Sequence, residues 1–130
     1  VVLVVYMGSR VTQLAGALGE ALAAKHLEAA GFQILGRNLK LAGCEVDILA
    51  RQGDALVVVE VKTRLSSAFG SPIEQITPAK AERLSRAARL AAIKWGFASV
   101  RVDVVGIRAR GVSERRLIGV ELVHVPNITG

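Results

Sequence analysis

Glu45-Val46-Asp47-Ile48-Leu49-Ala50-Arg51-Gln52-Gly53-Asp54-Ala55-Leu56-Val57-Val58-Val59-Glu60-Val61-Lys62 is the stretch whose reading decides the fold. Gln52-Gly53-Asp54 carries turn chemistry between two runs rich in β-branched residues, which is the pattern of a β-hairpin. The second run, from Ala55 to Lys62, is so apolar that it must be a core strand. Glu60 and Lys62 therefore violate their surroundings, because burying them costs several kcal/mol unless they are paired or hold a metal or substrate.

Outward from that hairpin the remaining elements follow. An alanine- and leucine-rich segment from about Thr12 to Ala30 reads as a helix stopped by Gly31, and Phe32 to Asn38 as a short strand. Cys44 to Arg51 and Ala55 to Arg64 are the hairpin strands, and Leu65 to Ile76 reads as a loop. Thr77 caps a second helix with Pro78 at its first position, running to Trp95 before Gly96. Two more strands are expected at Val100–Ile107 and Arg116–Val125. The order α-β-β-β-α-β-β predicts an α/β fold with a mixed central sheet flanked by helices.

At 130 residues the chain is one domain, long enough to bury a core without disulfides or zinc. Residues 1–11 read as an N-terminal extension and 12–130 as the domain. Val1 to Tyr6 is either an edge strand or residues preceding a native start at Met7, and it is too short to span a membrane. The single cysteine, Cys44, leaves no intramolecular disulfide, and His26 and His124 stand too far apart in sequence for a zinc motif. A reducing, cytoplasmic setting with no membrane association fits. The net charge of +6 favours anionic partners such as nucleic acid.

Side chains alternate along a strand, so Glu45 and Asp47 share one face of their strand, and Glu60, Lys62 and Arg64 share one face of the next. A turn of two or four residues would set Glu45 opposite Glu60 and Asp47 opposite Val58, gathering three carboxylates and Lys62 on one face, whereas a turn of three would put them on opposite faces. Opposed carboxylates need a cation or a raised pKa. Mg²⁺, with Mn²⁺ as a substitute, suits such a site because it takes one or two carboxylates and keeps several waters. Asp47 and Glu60, with the Val61 carbonyl, would be the protein ligands. Lys62 would orient an attacking water and stabilise charge growing on a phosphate. The competing reading is a plain salt bridge from Lys62 to Glu60 or Glu45. Glu20 lies on the otherwise small and apolar stripe Ala23, Ala24, Leu27, where it either completes the metal shell or serves as an acid near the helix start.

On the second helix, Leu84, Ala88, Ala91 and Trp95 form the expected core face. Lys80 and Arg83 are candidate nucleic-acid contacts, aided by free N–H groups at the helix start.

At these residues the chain resembles a known group. Gly19-Glu20, Ala24 and Leu27, Gly31-Phe32, Ile34-Leu35, Arg37-Asn38, Gly43-Cys44-Glu45-Val46-Asp47-Ile48, Val59-Glu60-Val61-Lys62-Thr63-Arg64, Phe69-Gly70-Ser71-Pro72, Thr77-Pro78-Ala79-Lys80, Arg101-Val102-Asp103-Val104 and His124-Val125-Pro126-Asn127 together look like the YraN-like uncharacterised protein family 0102. That family is similar to Holliday-junction-resolvase-like PD-(D/E)XK nucleases with a restriction-endonuclease-like fold. The resemblance implies a Mg²⁺-dependent endonuclease acting on DNA rather than RNA, including branched DNA. It puts Asp47, Glu60 and Lys62 at the metal and catalytic positions, Glu20 at the first-helix acid and Glu45 in a supporting motif. Resolvase-like relatives pair up, which implies a homodimer. Two departures stand out: Cys44 replaces a glycine of the motif, and Val46 rather than proline precedes Asp47. The alternatives from other classes are a non-catalytic nucleic-acid-binding module of the same fold and an interaction protein with salt-bridged charges.

Overall fold

Helix, three strands, helix and further strands follow one another in the expected order along the computed structural model, which describes residues 2–65 and 76–129, and side chains from residue 10 onward. Helix α1 spans Val2–Ala29, and strands β1 Gln33–Leu41, β2 Cys44–Gln52 and β3 Ala55–Arg64 follow it. Helix α2 covers Pro78–Trp95 and strand β4 Ser99–Arg108. The chain ends with β5 Gly111–Ser113, β6 Arg116–Ile118 and β7 Glu121–Val125. The loop expected between Leu65 and Ile76, with its Phe69-Gly70-Ser71-Pro72 motif, falls mostly outside the described residues.

Two corrections concern the ends of the chain. Helix α1 begins well before Thr12 and runs through the segment read as an edge strand or extension. The single expected strand Arg116–Val125 is broken at Gly119, whose φ is +64°. Its first part pairs with β5 as a separate hairpin, and only β7 joins the main sheet.

The main sheet has the order β1-β2-β3-β4-β7. Its β3–β4 pair is parallel and the others antiparallel. A parallel pair needs a long crossover, and α2 lies within that connection. Thr77 caps α2 by accepting the Lys80 N–H, Pro78 opens it, and Gly96 closes it in the left-handed region.

The β3 alternation builds two cores. Val57, Val59 and Val61 pack with Ala23, Ala24 and Leu27 of α1. Leu56 and Val58 pack with Leu84, Ala88 and Ala91 of α2. Glu60 and Lys62 continue the α2-facing set toward the strand's C-terminal end. Trp95, expected in the core, is instead 49% exposed, because α2 ends there and its ring falls beside the edge strand β1.

Candidate metal and phosphate site

The β2–β3 hairpin turns through Gly53 and Asp54 alone, with Gln52 opposite Ala55 and Ile48 opposite Val59. This register differs by two residues from the expected one. An even shift leaves the faces unchanged, but one step beyond the last pair it sets Asp47 at the level of Glu60 rather than of Val58. Pairing between β2 and β3 stops there. The freed Val61 N–H is taken by the Asp47 side chain, whose Oδ2 accepts it at 2.8 Å. In a strand the N–H and C=O of one residue point to the same side, so the Val61 carbonyl is also directed toward β2.

Asp47 stands where β2 changes face. Strict alternation would put Val46 and Ile48 in one core, yet Val46 packs in the α2 cluster and Ile48 in the α1 cluster. Across the ladder, Asn38 lies between the partners of those two residues and has φ +50°, so the kink is shared by both strands. The Asp47 carboxylate consequently sits between the layers at the splayed end of the hairpin. Glu60 feels it from the α2 side and Glu20 from the α1 side.

Both neighbours are perturbed accordingly. Burial first, and then the Asp47 charge, raise the Glu60 carboxyl above the ordinary carboxylate range. Lys80 works against that shift, with its Nζ 3.1 Å from Glu60 Oε1. Lys62 is the more distant cation at 3.9 Å. Half-buried Glu20 is likewise raised, mainly by burial and secondarily by Asp47, with Arg37 and the Asn38 side chain pulling the other way.

Of the sequence-derived candidates, then, the structure brings Asp47, Glu60, Lys62 and the Val61 backbone together. Glu20 reaches the cluster through Asp47, from a helix on the opposite face of the sheet to Glu60 and Lys62. Glu45 stays exposed at the rim, across from Lys40 and in a cleft with Lys80 and Arg83. Arg83 is exposed, while Lys80, assigned from the sequence to a nucleic-acid surface, turns its ammonium onto Glu60. Among the described residues no three His, Cys, Asp or Glu side chains converge closely enough to hold a metal by themselves. The arrangement is two neighbouring carboxylates, Asp47 and Glu60, with two ammonium groups beside Glu60.

Sequence reasoning missed a second polar cluster. Asp103 on β4 is fully buried and is forked by Arg101 Nε and a terminal guanidinium nitrogen, both at 2.9 Å. His124 Nε2 lies 2.8 Å from it and the Asn127 N–H donates at 2.9 Å. Although burial opposes ionisation, these donors hold the Asp103 carboxyl below its ordinary range. His124 Nδ1 in turn meets His26 Nε2 at 3.2 Å, so the two histidines, 98 residues apart in sequence, are in contact. Burial and His124 together lower the His26 pKa. The signal was available, since Asp103 interrupts an apolar strand as Glu60 does. The cluster ties edge strand β7 and the C-terminal segment to α1 and β4, at the end of α1 away from Glu20.

Two comparisons with known proteins are informative. Residues 19–107, which contain Glu20, Asp47, Glu60, Lys62, Lys80 and Asp103, match the model of "Uncharacterised protein family UPF0102". A UPF0102 protein of Chlorobaculum tepidum is 39% identical over 115 residues, covering 87% of this chain and 89% of that one. UPF0102 proteins of Acidothermus cellulolyticus and Streptomyces coelicolor are 43% and 48% identical over 111 and 96 residues. Those two alignments cover 73% and 71% of this chain, and 81% and 74% of the respective relatives. Among the described residues no helix is long and apolar enough to cross a membrane.

Proposed function

The chain belongs to uncharacterised protein family UPF0102, whose name assigns no activity, and from the site itself we propose a Mg²⁺-dependent endonuclease that hydrolyses phosphodiester bonds in DNA. The observation that carries this reading is the Asp47–Glu60 pair. Two acids are held side by side at the splayed end of a core hairpin, one of them raised in pKa by burial and by the other. A purely structural strand end gains nothing from such repulsion, whereas a site for a hard divalent cation needs it.

The residues fit the metal. Asp47 and Glu60 offer carboxylate oxygens, and the Val61 carbonyl is aimed to the same side. When bound, Mg²⁺ polarises a phosphoryl oxygen and makes water a better nucleophile. Asp47 is oriented for its part by the Val61 N–H, which fixes one oxygen and leaves the other to turn outward. Lys62, two residues beyond Glu60 and on the same face, is placed to hold a water and to stabilise charge growing on phosphate. Lys80 neutralises Glu60, and with a cation held by the carboxylates its ammonium would be available to a phosphate. Glu20 adds negative potential from the far side of Asp47.

Holliday junctions, flaps, single strands and duplexes incubated with Mg²⁺, Mn²⁺ or chelator test the proposal. Cleavage should require the divalent ion and be lost in Asp47→Ala and Lys62→Ala. Binding that persists in chelator, with no cleavage by a protein free of contaminating nuclease, would leave a nucleic-acid-binding module and refute the enzyme.

A further inference from the structure

We propose that the groove between α1 and the β5–β6 hairpin is a second contact for a nucleic-acid phosphodiester backbone, with Lys25, Arg115 and Arg116 as its cations. The inference rests on the nucleic-acid partner proposed above, and the groove lies apart from the carboxylate site. It measures about 370 Å³ and has Leu18, Leu22 and Leu117 on its apolar floor. Lys25, Arg115 and Arg116 line it, all three are exposed, and among the described residues no carboxylate lines it. Among the described residues Arg115 and Arg116 make no ion pair. An apolar floor with cationic walls suits a sugar-phosphate chain, because the long stems of Lys and Arg cover apolar surface while their heads meet phosphate oxygens.

The hairpin turn supplies an independent reason. Glu114 and Arg115 form a two-residue turn between Ser113 and Arg116, with φ of 49° and 60°. Such a turn requires the left-handed conformation at both positions and favours Asn-Gly. An arginine at the position where glycine would relieve strain is a local rule broken, and such breaks tend to mark a functional demand. The turn is held against α1 by Leu117, which packs on the α1 core. Its base is tied to the main sheet where Ala109 N–H donates to the Arg64 carbonyl, and the hairpin is closed where Arg110 N–H donates to the Ile118 carbonyl. The hairpin leaves the C-terminal end of β4, beside the end of β3 that carries Glu60 and Lys62. The groove and the carboxylate site thus share one end of the sheet but lie on its opposite faces, so a backbone in the groove is held at a separate surface.

Fluorescence anisotropy of labelled duplex and single-stranded DNA, measured in chelator across a salt series, tests this without any cleavage readout. Each lost phosphate contact lowers the slope of log affinity against log salt by about 0.9 for a duplex. Arg115→Gly/Arg116→Ala should therefore lower it by about 1.8 and weaken binding at low salt by at least roughly tenfold. The glycine relieves the strained turn, so the melting temperature should hold or rise and lost binding cannot be ascribed to unfolding. Arg86→Ala/Lys94→Ala removes equal charge from α2 and should leave the slope within about 0.5 of wild type. An unchanged slope in the hairpin variant, or an equal loss in the α2 variant, overturns the groove while the nucleic-acid reading stands. Absence of wild-type binding to any nucleic acid at low salt overturns both.

Discussion

Replacing Lys80 by methionine removes a charge and leaves most of the side-chain volume, so it isolates what the ammonium does for Glu60. Two unit charges 3.1 Å apart attract by about 5 kcal/mol at an effective dielectric of about 20. The Lys80 side chain is 35% exposed, so solvent screening and the entropy of a long side chain reduce that gross figure to a net of about 2 kcal/mol. For a chain of this length that corresponds to about 7 °C in melting temperature, together with an upward move of the Glu60 titration.

The pH dependence gives the sign. Burial and Asp47 already hold the folded Glu60 above its ordinary value. Its contribution to stability is therefore complete in acid, below the unfolded value, and is lost as pH rises through the folded one. Without Lys80 the folded value climbs further. The deficit of the variant should be nil near pH 4, grow as pH rises through the wild-type Glu60 titration, and level off beyond that of the variant. Thermal melts from pH 4 to 8, with Glu60 followed by carboxyl NMR, measure both quantities. An equal deficit at both ends of that range would mean that Lys80 acts by packing, and the electrostatic reasoning would fail.

Asp103→Ala should cost about 3–5 kcal/mol in urea unfolding, because it strands the Arg101 guanidinium, His124 and the Asn127 N–H. A loss below about 1 kcal/mol would show that the network is dispensable. In the wild type its depressed folded pKa means that this stability is present above the unfolded carboxylate range and is lost as pH falls through the folded value, which acid melts can follow. At Gly19 an added Cβ would run into Thr63 Oγ1, so Gly19→Ala should push α1 off β3 at a cost of about 1–3 kcal/mol. Thr63→Ala should rescue it in a double-mutant cycle, since it removes the clashing atom and a buried hydroxyl that has no partner among the described residues; strict additivity would disprove the close contact.

How far the fold could be read in advance depended on how local its causes are. Thr77, Pro78 and Gly96 punctuate α2 through their own backbone chemistry, and β3 reveals itself by an uninterrupted apolar run. The hairpin was legible, but its register was not, because an even slip preserves every face and only the choice of turn residues, Gly53-Asp54 rather than Gln52-Gly53, decides it. The break at Gly119 was missed since Arg116–Val125 reads as one apolar-rich strand until tertiary pairing assigns its halves to different sheets. At the site, Asp47 and Glu60 stood out as carboxylates near a core strand. The approach of Lys80 did not, because it depends on how α2 is laid across the sheet. Likewise the two histidines meet only because α1 packs on the sheet face to which edge strand β7 contributes His124, a proximity that sequence separation hides.

The central claim is that Asp47 and Glu60 form one divalent-cation site, and an anomalous difference map from a Mn²⁺-soaked crystal tests it most directly. The account predicts a peak about 2.1 Å from a carboxylate oxygen of each residue and from the Val61 carbonyl, with the Lys80 ammonium moved off Glu60. A map without a peak there at saturating Mn²⁺, with Lys80 still bonded to Glu60, would contradict it.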